Sequence, residues 1–422
     1  MQRRTRVWIG LGTAMLVGQT GLERVALAKQ TPALDPLMPE QAGALSSAGR
    51  PRIHIAQVEA AGEGGPNEGG GPVLGTITEF RLSSNDPTAF SYDGRAQVEG
   101  YVTLVSKAYI VASAAAGELR EAIIALIAAP SADALAIARR AWMTARARYL
   151  ETEAFQFYAG PIDAPGGPFP RLNYWPVDPA TIEALIADPG QTLNFRALAQ
   201  LNRIETPVRV TTGLHVLEYL LWGKDGALTA EAFAGDGNRR GAYARALAQL
   251  LVNDLAVVTA AWAPGVNNNY RASVKAMDQR NAIGRAFNGM AALLGYELPL
   301  RRIGAGLFPA NENFQASPFS HSSEEDNRHT FAGARTVYFG SGFDALVNGV
   351  DAELAASVAA GFERAEAALA AMDAPYERFL AAPAGSPERA AAEAAVRALT
   401  DLARDLRQAG NRLGVLVVVP GL

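Results

Sequence analysis

From about residue 92 onward, apolar residues recur at three- and four-residue spacings, the pattern of helices that bury one face. The pattern predicts helices over 95–127, 131–158, 191–222, 239–262 and 276–296, then over 342–371 and 387–412. Proline and glycine clusters supply the breaks, most visibly AGPIDAPGGPFPRLNYWPVDP (159–179), which reads as a long ordered loop rich in aromatics. Only LGVLVVVPGL (413–422) reads as a strand or a docked tail. Helices without alternating strands make the expected fold class all-α: two packed helical bundles, 92–300 and 301–422, of long antiparallel helices joined by extended ordered loops.

Residues 1–91 follow other rules. MQRRTR is basic, VWIGLGTAMLVG is apolar, and Ala26-Leu27-Ala28 offers a small-x-small site, so 1–28 reads as a signal peptide cleaved after Ala28. Arg3-Arg4 also fits the twin-arginine route. The apolar run is shorter than the roughly 20 residues a membrane span needs, and no later uncharged segment reaches that length, so no transmembrane span is expected. Residues 29–91, with GEGGPNEGGGP at 62–72, are too rich in glycine and proline to pack and read as a flexible tether or an unconstrained tail. The mature protein is therefore expected to be exported and soluble.

The 422 residues are 49% hydrophobic, enough for one large core or two ordinary ones. A net charge of −4 gives no electrostatic case for binding nucleic acid or an anionic membrane. Cysteine is absent, which excludes disulfides, thiolate metal sites and iron–sulfur clusters, so a metal here must use imidazole, carboxylate or carbonyl ligands.

Against that background TTGLHVLEYLLWG (211–223) stands out, because it places His215 and Glu218 in an otherwise apolar helix. A helix apolar on nearly every side is buried, and a buried imidazole and carboxylate need partners. The two are i and i+3, with Trp222 on the same stripe, and Thr211 or Thr212 is placed to cap the helix. Both side chains can reach one cation; alternatively they form a hydrogen-bonded pair that satisfies itself in the core. In 138–155, Trp142, Arg146, Tyr149 and Glu153 fall at i, i+4, i+7 and i+11. That stripe reads either as a polar site, with Glu153 as ligand or acceptor and Arg146 and Tyr149 as donors, or as a solvated face. The polar stretch 310–329 carries Glu312, Ser320, His321, Glu324, Glu325, Asp326 and His329; it reads by default as a solvated loop, with His329 at the surface. No nucleophile elbow, P-loop, dinucleotide glycine pattern or HEXXH motif occurs in the chain.

Gly213, His215 and Glu218 form a GxHxxE motif, and with it the chain resembles the imelysin, or insulin-cleaving metallopeptidase, family. The resemblance extends through AWMTARARYLETEAFQFYAGPID (141–163), LNYWPVDP (172–179), FNGMAALLGYELPLRRI (287–303), SPFSHSS (317–323) and RTVYFG (335–340), over about 95–412. It implies an all-helical protein of two bundle-like domains, exported to the periplasm or outer cell envelope and in many members associated with iron acquisition. It also implies a site built from His215 and Glu218, with Arg146, Glu153, Ser320 and His321; the stripes read above add Glu153 as a third candidate metal ligand and place Tyr149, Gly213 and Trp222 around it.

Three functions are compatible with these residues. The favoured one is a non-catalytic envelope protein that binds a metal ion or metal chelate between helices, iron first and zinc or copper as alternatives, within an iron-transport system. The second is a metallopeptidase that uses the GxHxxE motif, although a catalytic zinc ordinarily has three protein ligands and this helix offers two. In the third, the His–Glu pair is purely structural and the loop 159–179 or 310–329 grips another envelope protein.

Overall fold

The computed structural model describes residues 53–55, 82–204, 208–304, 307 and 315–419. The expected signal peptide lies outside these residues, as does most of the expected tether. Two short strands, β1 (Ile53–Ile55) and β2 (Leu82–Ser84), pair antiparallel with Ile53 opposite Ser84. Everything else that is regular among the described residues is helical, an all-α architecture as the periodicity predicts.

Helix α1 (Arg95–Ala128) lies along α2 (Ala132–Leu150) and α7 (Arg239–Ala261). Its buried stripe of Val98, Tyr101, Val105, Tyr109, Ala112, Ala116, Leu119 and Ile123 has helical spacing throughout. Between α2 and α7 come four short helices: α3 (Phe169–Leu172), α4 (Pro179–Ala187), α5 (Phe195–Leu201) and α6 (Leu214–Trp222). Helix α7 is long and apolar enough by composition to cross a membrane. Here it serves as a core helix, with Tyr243, Leu247, Leu251, Leu255 and Val258 buried. After α8 (Tyr270–Ala276), α9 (Gln279–Ala292) runs directly into a π-helical segment, Leu293–Gly304. The last five helices are α10 (Ser323–Gly340), α11 (Phe343–Val350), α12 (Ala352–Ala370), α13 (Tyr376–Ala381) and α14 (Pro387–Arg412).

Several expected elements are divided by identifiable local chemistry. The expected helix 191–222 becomes α5 and α6, because Asn194 caps the first and Gly213, at φ +98°, begins the second. Thr211 does not cap α6; its hydroxyl donates to the carbonyl of Leu198. The expected helix 342–371 splits at Asp351, which ends α11 and accepts from the Leu354 N–H as the cap of α12. The stretch 310–329 is not simply a loop, since its acidic half forms the first turn of α10.

The expected domain boundary at 300 falls inside the π-helical segment. Continuous helical backbone crosses it, α14 packs on both α9 and the π segment, and one hydrophobic core draws residues from both sides. Residues 51–422 accordingly group as one unit. The C-terminal stretch docks as an extended tail: Val415, Val417 and Val419 are buried, and Asn288 on α9 receives the Val418 N–H and donates to the carbonyl of Leu416.

Two glycines bring the helices against the turn that follows α2. A Cβ on Gly289 of α9 would stand 2.4 Å from the carbonyl oxygen of Ala154, and one on Gly333 of α10 would stand 2.4 Å from that of Glu151. The turn 151–156, which carries Glu153, is thus pinched between two helices at backbone contact. Gly333→Ala is expected to destabilise the protein by about 1–3 kcal/mol through this overpacking. Urea unfolding measures it, and an unaltered midpoint would show that the two backbones can separate without cost.

Candidate functional site

Helix α6 is buried from Leu214 to Leu221. Its first residue enters through Gly213, where a Cβ would come within 2.7 Å of the Leu172 carbonyl oxygen. The glycine of the GxHxxE motif therefore permits the start of α6 to lie against the end of α3. That contact delivers His215 to Asn173: the imidazole Nε2 is 3.0 Å from the Asn173 Oδ1.

Asn173 is the hub of a buried polar network. Its Oδ1 accepts a short hydrogen bond from Nη1 of Arg146, and its Nδ2 donates to Oε1 of Glu153 at 2.8 Å. The remaining guanidinium nitrogens of Arg146 bond Oδ2 of Asp326 at 3.0 and 2.8 Å, and that same oxygen accepts from the Ser317 hydroxyl at 2.6 Å. Glu153 also accepts from Arg302 at 2.9 Å and from Thr330 at 2.8 Å. Arg302 faces Glu297 as well, and the two carboxylates together raise its pKa against the opposing effect of burial.

Glu218 is clasped by the loop before α10. Its Oε1 accepts from the N–H of Phe319 at 2.9 Å, the N–H of Ser320 at 2.7 Å and the Ser320 hydroxyl at 2.7 Å. Its other oxygen, Oε2, has no hydrogen-bond partner, nor has Nδ1 of His215, and the two lie 3.7 Å apart. Hence the imidazole and carboxyl do not form a direct hydrogen bond. Burial pushes the Glu218 carboxyl up to about 8, despite the opposing donors from Ser320. Burial also holds His215 well below the ordinary imidazole range, aided by the guanidinium groups of Arg146 and Arg302 and opposed by the backbone of Ala316 beside the ring.

His215 forms part of the wall of a pocket of about 430 Å³, with Trp175, Gln315, Phe319, Lys224 and His321 among its other residues. Gln315 brings a third buried polar atom, Oε1, without a partner. The Trp175 ring lies 5.4 Å from the imidazole, with Arg302 over its face at 5.2 Å.

The structure brings His215, Glu218, Arg146, Glu153 and Ser320 into one buried region, with Gly213 setting the approach. Several of the expected residues take other roles. Glu153 is not placed as a ligand: its two oxygens are occupied by Asn173, Arg302 and Thr330, and it lies in a 3₁₀ turn (Glu153–Phe155) beyond the end of α2. The Thr152 hydroxyl takes the Tyr149 carbonyl where the helix would have continued. Tyr149 meets Gln156, outside the Arg146 network. Trp222 packs against Trp142 at 5.2 Å between ring centres, beneath Arg139. His321 is 53% exposed at the pocket mouth, where its Nδ1 lies 2.8 Å from Glu377. His329 is at the surface beside Glu151.

Sequence reasoning missed Asn173, Arg302, Glu297, Thr330 and Gln315 as parts of this region. Asn173 left one trace, a lone amide inside the aromatic, proline-bounded LNYWP stretch. Among the described residues no group of three His, Asp or Glu side chains converges as a metal cage.

The imelysin family model, labelled a peptidase family, matches residues 105–406. The chain is 26% identical over 339 residues to Iron-regulated protein A of Synechococcus elongatus, a match covering 74% of this chain and 88% of the relative. Two crystal structures share its fold at 18% identity. One, described as an iron-regulated protein A precursor from Parabacteroides distasonis, gives a TM-score of 0.66 over 81% of this chain and 98% of that one. The other, an imelysin-like protein from Psychrobacter arcticum, gives 0.62 over 78% and 99%.

The shifted pKa values set a pH signature for the metal-free protein. Glu218 keeps its proton in the native state after the unfolded chain has lost its own, so its contribution to stability is full below about 4.5 and disappears as pH rises through about 8. His215 acts oppositely: below 6.5 the unfolded chain takes up a proton that the buried ring refuses, so its contribution falls as the pH drops. Between 6.5 and 8 only the Glu218 slope remains of the two. Stability by urea unfolding is expected to decline across that window and to flatten there in Glu218→Gln; the same slope in both proteins would place the raised carboxyl elsewhere.

Proposed function

This chain belongs to the imelysin family, and we propose that it is an exported envelope protein that binds a metal ion, iron first, at His215 and Glu218. One observation carries the reading: Nδ1 of His215 and Oε2 of Glu218 are buried, without hydrogen-bond partners, and 3.7 Å apart. Once Glu218 has given up its proton, two lone pairs face each other in the core, and a cation between them relieves the repulsion. The spacing suits a cation. Two ligands each about 2.1 Å from a shared ion stand about 3.4 Å apart at the tetrahedral angle, so a small side-chain movement closes the site.

The donor set is one imidazole nitrogen and one carboxylate oxygen, with Gln315 Oε1 a third unpartnered atom, in a residue that shares the pocket wall with His215. Such ligands accept iron, zinc or copper. Arg146 and Arg302 are already matched by Asp326, Glu153 and Glu297, so a Glu218 that gives up its proton adds a negative charge that a bound cation offsets. Ligand positions left open by the protein fall to water or to a chelator in the pocket, whose 430 Å³ is the size of a small-molecule site rather than of a bare ion. The iron-regulated relative supports a link to iron, and iron acquisition is the setting we infer. The basic and apolar N-terminal sequence supports export to the periplasm or outer envelope.

The peptidase reading is favoured by the family label alone. If Glu218 is a ligand it is not free to serve as the general base. The purely structural reading of the His–Glu pair is less well supported, since the two side chains lie 3.7 Å apart without a direct hydrogen bond.

Titration of the protein with Fe(II), Fe(III), Zn(II) and Cu(II), followed by desalting and metal analysis, is expected to leave about one metal per chain, with none in His215→Ala/Glu218→Ala. Retention by neither protein would overturn the proposal. Because the cation displaces the Glu218 proton, affinity is expected to rise about tenfold per pH unit up to about pH 8.

A further inference from the structure

The network around Asn173 carries a consequence for which ring nitrogen of His215 is available. An amide has one accepting and one donating end, and its orientation follows from its neighbours. Arg146 can only donate, so the atom it meets must be the oxygen; Glu153, held by Arg302 and Thr330, accepts, so the atom it meets must be the nitrogen. Both neighbours thus give Asn173 the same orientation. The oxygen facing Arg146 also faces Nε2 of His215 at 3.0 Å, and a carbonyl oxygen has a second lone pair to offer. The His215 contact is a hydrogen bond only if Nε2 carries the proton.

We propose that Asn173 is a positioning residue that fixes His215 in the Nε2–H tautomer and so leaves the Nδ1 lone pair bare toward Glu218 Oε2. Arg146 and Glu153 act one step further out, holding the amide that holds the ring. This gives Glu153 a role in the site without making it a ligand. The significance of the tautomer for a metal rests on the metal-binding reading; the tautomer itself does not. A ring protonated at Nδ1 would present a hydrogen where the site needs a donor pair, and would leave two acceptors, Nε2 and the Asn173 oxygen, facing each other at 3.0 Å.

The chain has four histidines, so ring-nitrogen NMR of the full-length protein labelled with ¹⁵N-histidine is tractable, with His215→Ala supplying the assignment. Metal-free parent at neutral pH is expected to show His215 with a protonated Nε2 and an unprotonated Nδ1, and added Zn(II) is expected to move Nδ1. Asn173→Leu, which keeps the branched shape and removes the acceptor, is expected to lose the single tautomer and to weaken Zn(II) binding about 10–100-fold. Asn173→Asp, which keeps an acceptor toward Nε2 and Arg146 but loses the donor to Glu153, is expected to preserve the tautomer at lower stability. That comparison separates positioning from mere packing. The parent spectrum is informative whether or not the variants fold. A protonated Nδ1 in the parent, or a tautomer unchanged in folded Asn173→Leu, would overturn the proposal. Absence of Zn(II) binding beside a clean Nε2–H signature would instead overturn the metal reading and leave the positioning role standing.

Discussion

A guanidinium can be buried only where acceptors meet it along its plane, and Arg146, 1% exposed, imposes that condition on its surroundings. From α2 it draws Asp326 out of the first turn of α10 and the Asn173 oxygen from the end of α3. Asn173 then reaches Glu153, and Glu153 reaches Arg302 on the π-helical segment and Thr330 on α10. Segments far apart in the chain are thereby tied through charge-assisted hydrogen bonds that have no water to replace them. His215 enters at the edge of this network and Glu218 beside it. Their unpartnered atoms are conspicuous because so many of the neighbouring polar groups are satisfied.

Backbone contacts make the network possible. Gly213 lets α6 start against Leu172, while Gly289 and Gly333 admit the turn of Glu153 between α9 and α10. At each position a Cβ would meet a carbonyl oxygen at less than 3 Å, so the glycine is required by distance and not merely tolerated. The π-helical turns of Leu293–Gly304, which contain Pro299, place Glu297 and Arg302 on the buried side together. Wider turns of this kind are frequent at functional sites, and here they supply both partners of an ion pair.

The comparisons and the geometry speak to different levels. The family match and the shared folds account for the helical architecture. Fold alone does not select a chemistry. What bears on chemistry is local: an imidazole nitrogen and a carboxylate oxygen without partners, and a pocket with polar groups at its mouth. The relation to an iron-regulated protein gives the proposal its context, and these two atoms are the observation on which the proposed cation site rests.

By itself the sequence determined the all-α class, α14 at its full expected length, and the burial of His215 and Glu218, because periodicity and the cost of burying polar groups are local properties. It also showed that Arg146 and Glu153 belong near those two, through the family motifs. It did not determine what each does. Glu153 reads as a ligand from its place on a helical stripe, yet the helix ends before it and its oxygens are taken by side chains 20, 149 and 177 residues away in the chain. The importance of Asn173 and Arg302, and the unity of the segments on either side of residue 300, were likewise decided by tertiary structure. Hydrogen-bond partners and bare lone pairs depend on which distant segments meet, and that is settled by close backbone approach and by the need to satisfy every buried charge.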